Sequence, residues 1–200
     1  MSKIVLASGN AGKLREFSQL LRDMNTEVIP QSAFNLIEAE ETGLTFVENA
    51  IIKARHACLQ TGLPAIADDS GIEVDALNGE PGIYSARYSG PNATAQKNCD
   101  ALLNALINTP EAKRTARYQC VIVFMRHAKD PTPIICQADW QGHILAEPKG
   151  DGGFGYDPLF WVEQHQCTAA ELSPEQKHAI SHRGKAIRQF ITLFQQQYTP

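Results

Sequence analysis

The chain has 200 residues, enough for one domain, or one domain with a lobe, that buries its own core without disulfide or metal staples. Hydrophobic residues make up 43% and charged residues 20%, which excludes a disordered or fibrous chain, and no run is long and apolar enough to span a bilayer. A net charge of −4 argues against a basic nucleic-acid surface but permits a small anionic ligand, because a phosphate site needs only a few local cations and backbone N–H groups.

Residues 3–7 (KIVLA) read as a short buried strand, and a polar glycine-bearing loop follows, Ser8-Gly9-Asn10-Ala11-Gly12-Lys13. The apolar stretch at 4–7 is too short for a signal-peptide core, so the expected compartment is the cytoplasm. Leu14, Phe17, Leu20, Leu21 and Met24 then recur at helical spacing. Residues 45–60 form the clearest helix. Thr45 and Glu48 fit a capping box, Ala50, Ile51, Ala54, Ala57 and Cys58 make one stripe, and Gly62 and Pro64 stop it. Residues 65–67 look like a second buried strand that ends at Asp68-Asp69-Ser70-Gly71.

Thr94 caps a further predicted helix with Leu102, Leu103, Leu106 and Ile107 inward. Two long strands at 115–126 and 134–146 are expected as neighbours in an antiparallel or mixed sheet. A glycine-rich loop spans 150–157, and 159–162 is a short strand candidate. Ser173-Pro174-Glu175-Gln176 is a helix start, and Ser181 caps a last helix striped by Ile187, Phe190, Ile191 and Phe194. The interleaving predicts an α/β fold with a mixed sheet, flanking helices and phosphate-handling loops at strand ends. Cys58, Cys99, Cys120, Cys136 and Cys167 are odd in number, scattered and without a CxxC, which predicts reduced, buried thiols.

Five groups of residues can carry chemistry. The loop ending in Lys13 offers backbone N–H groups, a helix N-terminus and a full positive charge to an anion, although its spacing is not that of a Walker loop and a plain turn has the same look. Glu40-Glu41 and Asp68-Asp69 can hold Mg²⁺ and orient a water, or merely be solvated. Two adjacent carboxylates beside an apolar strand are costly without a counter-ion. Lys53 is either a solvated helix residue or a partner of that acidic set. Phe154, Gly155, Tyr156 and Asp157 combine aromatic rings with an acceptor, as a base pocket or a tight turn does. Lys177 with Ser181, His182 and Arg183 puts cations near a helix start. His56, His127, His143, His165 and His178 lack HxH or HExxH spacing and read as non-ligands.

Seven stretches in this order resemble the inosine triphosphate pyrophosphatase family, bacterial type. They are Ser8 to Lys13, Glu40-Glu41-Thr42-Gly43, the FVENA run at 46–50 with Lys53-Ala54, the ADDSG run at 67–71, the PGIYSARYSG run at 81–90, the GGFGYDP run at 152–158, and Ser181-His182-Arg183-Gly184. The resemblance covers nearly the whole chain and implies one domain over 1–200, elongated, of two lobes around a central cleft. It implies a homodimer that uses Mg²⁺ to convert ITP, dITP and XTP to the monophosphate and pyrophosphate, with no nucleic acid or membrane partner. On the same resemblance, Ser8, Gly9, Asn10, Ala11, Gly12, Lys13 and Lys53 hold the triphosphate. Glu41 and Asp69 engage the metal, Asp69 activates water with Asp68 in support, and Ser70 contacts substrate. Phe154, Gly155, Tyr156, Asp157, Lys177, His182 and Arg183 bind the nucleoside.

Overall fold

The computed structural model describes residues 2–22 and 24–198. Strand β1 (Ser2–Leu6) buries Ile4, Val5 and Leu6 consecutively, as a strand covered on both faces must. It pairs in parallel with β2 (Thr26–Pro30), Ile4 opposite Val28, and with β3 (Ala65–Val74), Val5 opposite Ala65. The strand order is β2-β1-β3-β4-β5-β6-β7, with β4 at Thr115–Met125, β5 at Ile134–Ile144, β6 at Phe160–Val162 and β7 at Cys167–Thr168. The pairs β5–β6 and β6–β7 are antiparallel, so the sheet is mixed, as expected. Strand β2 has no sequence counterpart above; five residues ending in Pro30 give little pattern, and proline is tolerated at the sheet edge that β2 forms.

Strand β3 does not end before the aspartates but continues to Val74, because Ile72 and Val74 are fully buried and resume the apolar pattern beyond Gly71. Asp68 and Asp69 therefore sit mid-strand, where backbone pairing fixes their Cα positions more firmly than a loop could.

Helix α1 (Ala11–Arg22) buries Phe17 and Leu21; it ends before Met24, which is half-buried. Helix α2 (Phe46–Thr61) is capped by the Thr45 side chain accepting from Glu48 N at 3.3 Å, and it ends at Gly62. Glu48 completes the cap differently from a simple box: its Oε2 accepts from Leu44 N and Thr45 Oγ1, each at 2.9 Å. Helix α3 (Ala95–Ala105) is capped by Thr94 and buries Leu102. Leu106, just past its end, is also buried, whereas Ile107 is 71% exposed, because the helix has already ended and the stripe no longer applies. Helix α4 (Pro174–Ile180) has the full Ser173–Gln176 capping box. In α5 (His182–Tyr198), the Ser181 hydroxyl accepts from Gly184 N at 3.2 Å, and Ile187, Phe190 and Phe194 are buried.

The chain groups into two compact units, residues 1–69, 121–137 and 186–200, and residues 70–120 and 138–185. In the first, Phe190 meets Phe17 edge-on at 6.1 Å and Phe194 at 5.4 Å, and Phe124 meets Phe194 at 5.2 Å. In the second, Ile72, Leu102, Tyr118, Trp140, Leu159 and Phe160 belong to one apolar cluster. All five cysteines are free thiols and four are buried, as expected. Among the described residues, no helix is long and apolar enough to cross a membrane.

Candidate active site

The loop after β1 turns into α1 through Asn10, whose Oδ1 accepts from Gly12 N at 2.8 Å and Lys13 N at 3.1 Å. The Ser8 hydroxyl accepts from Asn10 N at 3.2 Å. Asn10 thus caps the helix, and two of the N–H groups expected to face an anion are already engaged by its side chain. Ala11 opens α1, and its side chain lies outside the described residues. Lys13 is not a solvated lysine. Its ammonium reaches the buried Asp68 carboxylate, at 2.8 Å from Oδ1 and 2.6 Å from Oδ2.

Lys53, midway along α2, bridges two carboxylates: it donates to Glu41 Oε1 at 2.9 Å and to Asp69 Oδ1 at 2.8 Å. Burial alone would lower the Lys53 pKa, but Asp69 and Glu41 outweigh it and the pKa is raised. The Asp69 pKa is raised, first by burial and also by the negative charges of Glu41 and Asp68, against the pull of Lys53. Asp69 Oδ2 is buried with no hydrogen-bond partner among the described residues. Three carboxylates against two ammonium groups leave this cluster with a net charge of −1. Among the described residues, no three His, Cys, Asp or Glu side chains converge as a preformed metal cage.

Lys13, Lys53, Asp68 and Glu41 line one cavity of about 180 Å³, together with Ser8 and Gly9. Its wall also includes Gln31 and Glu38, which the sequence did not single out, and His56, which it read as a non-ligand. His56 lies three residues after Lys53 on α2, a spacing that faces both side chains the same way and was the available signal.

The second unit assembles the remaining expected residues. Asp157 is buried and accepts from Phe154 N at 2.6 Å, from Tyr118 Oη at 3.2 Å and from the Lys177 ammonium. Gly153 has φ 74°, and a side chain there would collide with the Asp157 carboxylate, so this turn requires glycine. Phe154 is 57% exposed, with Lys177 Nζ 4.5 Å and the Arg183 guanidinium 5.5 Å from its ring centroid. Arg183 Nε is buried without a hydrogen-bond partner among the described residues. His182 is buried and stacks on Tyr118 at 4.7 Å with 10° between the planes.

Tyr156 is a core residue whose hydroxyl donates to Ser85 O at 2.8 Å, and the Gly155 carbonyl accepts from the Cys99 thiol at 3.4 Å. Ser70 is half-buried in β3. Tyr118 is a residue that sequence reasoning missed. It joins His182 to Asp157, and its pKa is raised well above the ordinary value by burial and by Asp157. Nothing in its alternating strand sequence distinguishes it from any other inward residue.

The chain matches the Ham1 family over residues 4–193. A Shewanella oneidensis protein named dITP/XTP pyrophosphatase is 61% identical over 197 residues, covering 98% of this chain and 96% of that protein. A Vibrio vulnificus protein of the same name is 57% identical over 197 residues, 98% of each. Among solved structures, a HAM1 protein from Coxiella burnetii superposes with a TM-score of 0.95 at 53% identity, covering 98% of this chain and 100% of that one.

Proposed function

Because this chain belongs to the Ham1 family, we propose that it hydrolyses ITP, dITP and XTP to the nucleoside monophosphate and pyrophosphate, clearing deaminated purines from the nucleotide pool. The observation that carries this reading is the cavity in which Lys13 and Lys53 meet the carboxylates of Glu38, Glu41 and Asp68 beside the β1 loop. Phosphoryl transfer asks a protein mainly for positioning and for positive charge on the phosphoryl oxygens. Lys13 and Lys53 supply that charge for the triphosphate. Asp68 holds the Lys13 ammonium in place, and Asp69 accepts the proton of the water that attacks the α-phosphorus as pyrophosphate leaves.

The residues fit Mg²⁺. Glu41 and Asp69 offer hard carboxylate oxygens, Asp69 Oδ2 is buried and unpartnered among the described residues, and the cluster has a negative charge to spare. When bound, the ion neutralises charge on the phosphate chain and makes water easier to deprotonate.

The second unit's group reads the base. Hypoxanthine and xanthine present a carbonyl oxygen at C6, which suits a donor such as Arg183 or His182. Adenine presents an amino group there, which sets donor against donor. Phe154 offers its exposed ring to the purine face. We assign the protein to the cytoplasm as a homodimer, which light scattering on the purified protein tests by its mass.

The deciding experiment is an assay of ITP, dITP, XTP, GTP, ATP and dTTP with and without Mg²⁺, products separated by ion exchange. Pyrophosphate and IMP from ITP, only with the metal, are expected. Release of orthophosphate, or equal turnover of ATP, would sink the reading.

A further inference from the structure

Four side chains of α2 grip the preceding loop in reverse order. His56 Nε2 donates to the Ile37 carbonyl at 2.8 Å, and Lys53 donates to Glu41 at 2.9 Å. Asn49 Oδ1 accepts from Gly43 N, and Glu48 Oε2 from Leu44 N, each at 2.9 Å. The loop carrying Glu41 is therefore shaped by the helix, contact by contact.

Asn49 differs from the other three in being wholly enclosed, 0% exposed, with Nδ2 lacking a hydrogen-bond partner among the described residues. An unpaired buried amide donor is destabilising, and an apolar residue there would avoid that cost. What the amide provides is the bond to Gly43. The fit at Gly43 is close: a Cβ there would lie 2.6 Å from Glu48 Cβ and 2.7 Å from Asn49 Oδ1. Asn49 and Lys53 are one helical turn apart, so a single face of α2 fixes both the main chain at Gly43 and the carboxylate at Glu41. Lys53 alone fixes little, because its flexible four-carbon stem can follow a displaced carboxylate.

We propose that Asn49 is a positioning residue that, through Gly43, sets the Glu41 carboxylate for a divalent cation. The inference rests on reading Glu41 as a metal ligand, and the experiment separates the two. Free Mn²⁺ is titrated by electron paramagnetic resonance against the intact wild type, Asn49→Ala, Gly43→Ala and Glu41→Gln. Asn49→Ala and Gly43→Ala each weaken Mn²⁺ binding by about tenfold or more, the usual effect of removing a ligand's supporting partner. Far-UV circular dichroism stays that of the wild type, and ITP turnover by both variants recovers at saturating Mg²⁺, which a merely structural defect would not do. Gly43→Ala removes no buried side chain and decides the matter if Asn49→Ala fails to fold. Wild-type Mn²⁺ affinity in either folded variant, alongside a loss in Glu41→Gln, overturns the role of Asn49. Wild-type affinity in Glu41→Gln overturns the reading of Glu41 itself.

Discussion

At Asp69, one carboxylate oxygen takes the Lys53 ammonium at 2.8 Å while the other is buried and unpartnered among the described residues. Asp69→Asn keeps the shape and removes the base, so kcat on ITP falls by about 10²–10⁴-fold. The dissociation constant of a non-hydrolysable ITP analogue, read by calorimetry, stays close to that of the wild type; unchanged kcat removes Asp69 from the chemistry. Lys13→Ala takes a cation from a buried carboxylate, since the Asp68 side chain is only 2% exposed. Urea unfolding should show a loss of about 3 kcal/mol, and steady-state kinetics a higher KM or lower kcat. Arg183→Ala removes a donor that the proposed reading aims at the C6 carbonyl. The ratio of kcat/KM for ITP over ATP drops by about tenfold, and an unaltered ratio moves base reading to another residue. The sequence picked out all of these residues but not their pairing. Nothing local says that Lys13 meets Asp68 and Lys53 meets Asp69, because the partners are 55 and 16 residues apart.

Between β4 and β5, Asp130 organises the connecting turn. Its carboxylate accepts from Arg126 N and Nε at 2.9 Å and from Thr132 N at 3.1 Å. These bonds hold its pKa well below the ordinary carboxylate value, the Arg126 side chain acting first. A depressed folded-state pKa means stability that is fully present above the unfolded-state value of about 3.9 and is lost as the pH falls through the folded-state value. Asp130→Asn therefore lowers Tm at neutral pH, and the gap to the wild type closes as the pH drops below about 4. A gap independent of pH contradicts this account. Elements themselves were largely legible. The caps at Thr45, Thr94, Ser173 and Ser181 lie where the side-chain types put them, since a cap needs only residues within one turn. Two misjudged limits have one cause: β3 runs past its aspartates and α3 stops before Ile107. An element ends where its partners end, and partners are not local.

For the molecule as a whole, α5 closes the core of the first unit from the far end of the sequence. Phe190 is fully buried against Phe17, Phe124 and Phe194. Phe190→Ala should cost about 3–5 kcal/mol in chemical denaturation, and a loss below 1 kcal/mol would mean that the site collapses around the gap. The strand order, with β3 between β1 and β4, brings the β1 loop and the aspartates of β3 into one neighbourhood. The sequence by itself determined the fold class, the helix caps and stripes, the reduced cysteines and the candidate residues for phosphate chemistry. Each of these follows from residue type and short-range spacing. Only the tertiary structure decided which lysine neutralises which aspartate, that Tyr156 is core while Phe154 is exposed, and that Tyr118 bonds to Asp157 and Asn49 to Gly43. Those outcomes depend on burial and on contacts between distant segments, which the order of residues encodes only through the packing of the folded chain.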